Sequence, residues 1–357
     1  MIKFQHSYLI ALENDSILFF SQWFRKEYKL TTSSNLKLYE ILSTLQSGFF
    51  SEKKFLKIML SEGYSSDFGY KLLRILLDKK ILIYTHEKDK EYRGRYGRQE
   101  LFLDNFERDY QNGEYLNNEL QNKRVVIVGV GGYGTWTAML FARMGVKHIA
   151  IVDSDIVEES NLNRQVLYDF ADIGKKKVDV CKEKIVAIDS EIKVEVFDEH
   201  ISSVEELFSI VVDADLVMNS FGYFPLDMEY GKSSFYVNEA CMIKKIPCLN
   251  YNGSWVGPIF EGENSPCYFC MMQDKEIIKG VKYSLPVKKD KFLAAFAPRM
   301  SYSSSIAVWE AVRFLLNLSA INYLKDNIIV IDTLYYDKNK MIKIKAVDGC
   351  KYCKKIQ

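Results

Sequence analysis

The stretch "VVIVGVGGYGTWTAMLFARMGVKHIAIVD", residues 125–153, constrains this chain more than any other. An apolar run enters Gly129-Val130-Gly131-Gly132-Tyr133-Gly134, a helical pattern begins at about Thr135, and a second apolar run ends on Asp153. Strand, glycine loop, helix and strand in that order predict a parallel βαβ unit. The missing side chains at Gly129, Gly131 and Gly132 permit a tight turn and let backbone N–H groups reach a phosphate, where the helix dipole adds partial positive charge. Gly134 completes the pattern, and Asp153, nineteen residues further on, suits a ribose hydroxyl. These features alone fit a dinucleotide for hydride transfer and a mononucleotide equally.

The residues that follow favour the mononucleotide. "SNLNRQ" places Asn161, Arg164 and Gln165 after the second strand, and "DIGKKKVD" places Lys177 at the start of the next helix. Fixed cations serve a pentavalent phosphorus transition state and a departing pyrophosphate, whereas hydride transfer has little use for them. Adenylation with ATP is therefore the expected chemistry. From residue 124 onward, apolar runs such as "HIAIVD" and "DLVMNS" alternate with helical stretches. That alternation predicts an α/β fold with a Rossmann-like, doubly wound, mostly parallel sheet.

Upstream the periodicity changes. "YLIALENDSILFF" alternates apolar and polar residues around a turn at Asn14-Asp15-Ser16, which predicts two short strands within residues 1–20. Three helical stretches follow, marked by Leu38, Ile41, Leu42 and Leu45, by Phe55, Ile58 and Met59, and by Leu72, Leu73, Leu76 and Leu77. Ser51 and Asp67 are placed to cap the second and third, and "KKILIYT" reads as a closing strand. The order predicts a small winged-helix-like domain over residues 1–88. "HEKDKEYRGRYGRQ" then breaks the pattern with dense charge and two glycines. Residues 89–121 are read as a linker and helix carrying "RYGRQ", and residues 122–357 as the nucleotide-binding domain.

The seven cysteines are too few and too scattered for a disulfide scaffold. Cys267 with Cys270, and Cys350 with Cys353, form two CxxC pairs whose four thiolates suit structural, tetrahedral zinc. Cys181, Cys241 and Cys248 fall in helical or strand contexts and are expected to be buried small apolar groups. With 48 basic and 47 acidic residues the net charge is +1, so no overall field draws the chain to nucleic acid or anionic lipid. No window reaches the ~18 consecutive apolar residues of a membrane span. A cytoplasmic protein without nucleic-acid or membrane partners is expected.

Taken in order, "RYGRQ" at 95–99, the GxGGxG loop, "VDSDIVEESNLNRQ", Gly174 with Lys177 and the two CxxC pairs resemble the ubiquitin-activating-enzyme-like adenylating proteins of the ThiF and MoeB superfamily. The resemblance covers about residues 93–357. It implies that Asp153 binds the ATP ribose, that Arg164 and Lys177 contact the phosphates, and that Asp155, Asn161 and Gln165 belong to the nucleotide site. It also implies that Arg98 reaches into a neighbouring subunit's site as an arginine finger, which requires a homodimer. The family places a magnesium-binding aspartate just after the strand corresponding to "ADLVMNS", where this chain has Phe221. Asp227 stands at nearly the family's spacing from Cys241 and is the expected replacement. Members that pass a ubiquitin-like protein to a thiol need a cysteine after the first CxxC pair, and residues 271–349 contain none, so no thioester step is expected.

Within the superfamily, the N-terminal addition resembles the peptide clamp of the MccB-type enzymes of microcin C biosynthesis. That implies ATP-dependent adenylation of a carboxylate on a ribosomally made precursor peptide, as in microcin C-like or pantocin-like maturation. Three alternatives stay open at this stage: an activator of a ubiquitin-like sulfur carrier, a catalytically impaired partner that presents a leader peptide, and an NAD dehydrogenase.

Overall fold

An Asn-Asp pair between two alternating runs is a strong local signal for a tight hairpin, and the N-terminal unit is built around one. The computed structural model describes residues 1–86, 94–221, 229–260, 266–274, 295–318, 324–332 and 335–350. Asp227 and Cys353 lie outside the described residues. The chain divides into two compact units, Met1–Glu119 and Leu120–Gln357.

In the first unit, β1 (Ile2–Phe4) precedes β2 (Tyr8–Glu13), β3 (Ser16–Ser21) and β4 (Lys26–Leu30). Asn14 and Asp15 take φ of 46° and 60°, the left-handed conformation that Asn and Asp tolerate best after glycine. They turn β2 back onto β3, and β4 completes a three-stranded antiparallel sheet. Helices α1 (Asn35–Gln46), α2 (Glu52–Ser61) and α3 (Ser66–Asp78) follow, and then β5 (Leu82–Tyr84), which pairs antiparallel with β1. The three helices bury Leu38, Leu42, Phe55, Met59 and Leu73 against Ile17 and Phe19 of the hairpin. Ser51 caps α2 by accepting from the Lys54 N–H, as expected. The cap of α3 is Ser65, which accepts from the Phe68 N–H at 3.1 Å, and not Asp67. A cap must precede the first helical residue on extended backbone; Asp67 lies inside the first turn and pairs with Lys71 instead. Helix α4 (Gly97–Leu103) begins within "RYGRQ" and carries its Arg98, and α5 (Gly113–Gln121) leads to the second unit.

There, β6 (Arg124–Val128), β7 (His148–Val152), β8 (Lys193–Phe197), β9 (Leu216–Asn219) and β10 (Cys248–Tyr251) lie parallel in the order β8-β7-β6-β9-β10. Strands β11 (Trp255–Phe260), β12 (Asn327–Val330) and β13 (Lys340–Lys343) extend the sheet antiparallel, to eight strands among the described residues. Val125 through Val128 are wholly buried, as a parallel strand covered on both faces must be. One face packs under α8 (Phe208–Val211) and α9 (Glu229–Lys244) through Val126, Val128, Val217, Val237 and Ala240. Among the described residues, α6 (Gly134–Met144), α7 (Lys177–Ile188) and α11 (Ala297–Leu315) are the other long helices of this unit, while the single turn α10 (Tyr268–Met271) carries Cys270. Strand order reverses between β6 and β9, which opens a crevice at their carboxyl ends.

Candidate active site

The glycine loop sits at that reversal. Gly129 has φ +86°, and a Cβ there would lie 2.8 Å from the Ser220 Oγ and 3.2 Å from the Phe221 ring. Gly134 permits the first turn of α6 to close on the Gly129 carbonyl, which any side chain would overlap. Besides Thr135, at the start of α6, whose hydroxyl donates to Gly131 O at 2.9 Å, four side chains from elsewhere in the chain brace the loop through its backbone. The Ser220 hydroxyl donates to Val128 O and Gly129 O at 2.8 and 2.6 Å, and Tyr168 donates to Val130 O at 2.8 Å. Ser304, on α11, donates to Tyr133 O at 3.1 Å. Asp153 accepts from the Val130 N–H at 2.8 Å and from the Asp155 N–H at 2.9 Å. Among the described residues, the N–H groups of Gly131, Gly132 and Tyr133 have no protein partner. They stand at the N-terminal end of an 11-residue helix, where the aligned peptide dipoles favour an anion.

Cations gather on the same side. The consecutive residues Lys175, Lys176 and Lys177 pair with Asp172, Asp198 and Asp155, respectively. Only the Lys177 side chain is buried, at 7% exposure against 52% and 56% for its neighbours. Its Nζ lies 2.6 Å from the Asp155 carboxylate, whose own side chain is 60% exposed. Burial pushes the Asp153 carboxyl above the usual carboxylate range, and the Lys177 charge works against that push. Arg164 is half-buried; its Nη1 donates to Ser160 O and Asn163 Oδ1, and its Nε lies 3.8 Å from where a Gly132 Cβ would be. Asn161 is buried and accepts from the Glu158 N–H, which shapes the turn that delivers Arg164. Gln165 is 3% exposed, beside Gly131, with a buried Oε1 that has no partner. A buried orphan acceptor is costly unless a ligand donor meets it, so Gln165, the free loop amides and Lys177 together fit a nucleotide.

Expected residues are thus brought together at Gly129, Gly131, Gly132, Gly134, Asp153, Asp155, Asn161, Arg164, Gln165 and Lys177. Phe221 lies at the carboxyl end of β9 against Gly129, and the Asp227 expected to replace a magnesium ligand is outside the described residues. Arg98, in the first unit, is exposed on α4 with no ion pair among the described residues. Sequence reasoning missed the bracing set Ser220, Tyr168 and Ser304, and also Arg299, the third residue of α11. Arg299 donates to Gly253 O at 3.1 Å and to Ser254 Oγ at 2.7 Å.

Cys267, Cys270 and Cys350 form a separate buried cluster. Cys267 Sγ is 3.8 Å from the Sγ of both Cys270 and Cys350. A disulfide requires about 2.05 Å, whereas a tetrahedral Zn²⁺ with Zn–S bonds of about 2.3 Å sets its sulfurs about 3.8 Å apart. The Val347 N–H donates to Cys270 Sγ at 3.2 Å, a contact that suits a charged sulfur. The donor set and its spacing fit zinc. Cys181, Cys241 and Cys248 are buried, as expected, and burial raises the thiol pKa of Cys181 and Cys241.

A glycine loop at the switch point of a mostly parallel sheet, lined with a buried lysine and an arginine, defines a nucleotide-binding protein of the Rossmann-like class. The chain belongs to the ThiF family, whose model matches residues 98–352. It is 30% identical over 190 residues to the sulfur carrier protein adenylyltransferase of Thermus thermophilus, a match covering 51% of this chain and 65% of that protein. It is 30% identical over 187 residues to the sulfur carrier protein ThiS adenylyltransferase of Bacillus subtilis, covering half of each. The chain therefore spans about half to two thirds of the length of these relatives. Among solved structures, E. coli MccB with AMPCPP and MccA superposes with a TM-score of 0.76 over 99% of both chains at 22% identity, a likeness of fold.

Proposed function

We propose that this chain activates a carboxylate of a ribosomally made precursor peptide by forming an acyl-adenylate with release of pyrophosphate. The observation that carries this reading is the cradle at the switch point, where unpartnered loop amides stand at a helix end beside Arg164 and the buried Lys177 lies against Asp155 and Asp153. The extent of the fold match favours a peptide over a carrier protein. The likeness to MccB, described with MccA, runs through both units, whereas the sulfur-carrier relatives match only about half of the chain.

In this reading Asp153 takes the ribose, while Arg164 and Lys177 bear the charge that accumulates at phosphorus. Asp155 holds Lys177 in place, and Asn161 and Gln165 complete the pocket. Arg98 of a second copy closes the site, so the working unit is a homodimer. Magnesium accompanies the nucleotide, with Asp227 as its protein ligand. Zinc on Cys267, Cys270, Cys350 and Cys353 ties the C-terminal segment to the core. Residues 1–88 form the peptide clamp, 89–121 carry the finger, and 122–357 perform the chemistry, in the cytoplasm. The peptide adds as a strand to the clamp's small sheet, and binding energy gathered there orients the reacting carboxylate.

Exchange of labelled pyrophosphate into ATP tests the reading. Peptide-dependent exchange supports it, and nucleotide binding without exchange overturns it. The second reading, activation of a sulfur carrier, draws on the relatives' names. Exchange driven by a carrier protein ending in Gly-Gly, and by no peptide, would establish it instead.

A further inference from the structure

We propose that Arg299 receives the carboxylate that is to be adenylated, a role that rests on the adenylation reading. Three elements meet around this side chain: the glycine loop, the turn between β10 and β11, and the start of α11. The turn is held rigidly, because Asn252 Oδ1 accepts from the N–H groups of both Ser254 and Trp255 at 2.8 and 2.9 Å. Arg299 grips it from the side, with Nε on Gly253 O and Nη2 on Ser254 Oγ. Tyr133 packs alongside. Its hydroxyl lies close to Gly253, and burial pushes its pKa up while the Arg299 charge and the Gly253 amide pull it down.

A guanidinium has five N–H donors, and two of these are engaged, which leaves three. Arg299 is exposed and has no further partner among the described residues. A planar cation fixed on one edge and open on the other is built to hold a carboxylate in a bidentate pair. Its position suits the chemistry. Arg164 lies against Gly132, whereas Arg299 lies beside the next loop residue, Tyr133. Phosphoryl and nucleotidyl transfers run in line, with attacking and leaving oxygens on opposite sides of phosphorus. A cation set that includes Arg164 and Lys177 for the departing pyrophosphate therefore leaves the approaching carboxylate in need of its own. In the step, a carboxylate oxygen bonds to the α-phosphorus, the bond from that phosphorus to the bridging oxygen breaks, and the electron pair leaves with pyrophosphate. No proton moves. Arg299 offsets the repulsion between a carboxylate and a polyanion and aims the attacking oxygen.

The test compares wild type with Arg299→Gln, Arg299→Lys and Ser254→Ala, using short peptides with free carboxylates that support pyrophosphate exchange in the wild type. Arg299→Gln should raise the peptide KM tenfold or more, with affinity for a non-hydrolysable ATP analogue unchanged within twofold. Arg299→Lys keeps the charge but loses the fork, and should raise the peptide KM at least fivefold; this variant decides the matter if Arg299→Gln does not fold. Ser254→Ala frees one edge of the guanidinium and should give a smaller rise. A peptide KM within twofold of wild type in both Arg299 variants overturns the proposal while leaving adenylation standing. So does a loss of ATP-analogue affinity equal to the loss for peptide, which is the mark of a purely structural clamp. Absence of exchange in the wild type with every peptide overturns adenylation itself, and this role with it.

Discussion

Replacing Lys177 with Met separates catalysis from folding because of where the two members of its ion pair sit. Lys177 is buried, whereas the Asp155 side chain is 60% exposed. Removing one partner of a fully buried pair costs about 3–5 kcal/mol, because it strands a charge away from water. Here the group that loses its ion pair is Asp155, which water reaches, while the buried Asp153 loses the Lys177 charge but keeps the Val130 and Asp155 N–H groups that hold its carboxylate, and Met replaces the apolar lysine stem. The stability cost should therefore be that of an exposed pair, about 1 kcal/mol or less. The catalytic cost differs in kind. A fixed cation facing developing charge is worth about 2.7–4 kcal/mol, or roughly 10²–10³ in rate, by analogy with the loss of one oxyanion-hole donor. Urea unfolding should move by no more than about 1 kcal/mol, while pyrophosphate exchange falls at least a hundredfold. Exchange within threefold of wild type would refute the phosphate role of Lys177. A loss of about 3 kcal/mol or more in stability would show instead that the pair is structural.

Further outcomes follow from other parts of the molecule. Gly134→Ala places a methyl group on the Gly129 carbonyl, so loop and helix must part; stability should fall by about 1–3 kcal/mol, with a weaker affinity for ATP analogue by calorimetry, and unchanged affinity would contradict the loop geometry. Purified protein should carry one zinc per chain by elemental analysis, and stripping it with a chelator should lower the melting temperature; a metal-free protein of undiminished stability would remove zinc from the cysteine cluster. In the first unit, Glu107 lies 2.7 Å from the Lys3 Nζ and accepts from the His6 N–H, yet burial pushes its pKa from 4.5 up to about 7. The folded state then holds this proton more tightly than the unfolded chain, so the Glu107 contribution to stability falls as pH rises from about 4.5 to about 7 and levels off above. Glu107→Gln should flatten the stability profile in that window, and an identical slope in both proteins would contradict the burial argument.

The parts of this fold that were legible in the sequence are those set by neighbours in the chain. The β2–β3 hairpin could be read because Asn14 and Asp15 tolerate positive φ, and the glycine loop because missing side chains serve both turn and phosphate. The pairing of β1 with β5 could not, since Ile2–Phe4 is three residues long and its partner lies about eighty residues away. Register across such a gap is set by packing, not by local pattern. The lysine run shows the same limit: Lys175, Lys176 and Lys177 look alike in sequence, and only the fold buries the third. Ser220, through its bonds to Val128 O and Gly129 O, and Ser304, through its bond to Tyr133 O, act on the loop across long sequence separations and leave no periodic signal. Arg299 is hidden for a different reason, standing alone in "FAPRMSY" with nothing around it to mark a carboxylate-facing cation.

The most direct measurement follows an oxygen atom. A substrate peptide carrying ¹⁸O in its carboxylate is incubated with the protein, ATP and magnesium, and the AMP released by hydrolysis of the acyl-adenylate is weighed by mass spectrometry. Attack by the carboxylate on the α-phosphorus predicts one ¹⁸O in that AMP, dependent on peptide and lost in Lys177→Met. Unlabelled AMP formed at the same rate with and without peptide would mean that water is the nucleophile, and the cradle at the switch point would then serve a different reaction.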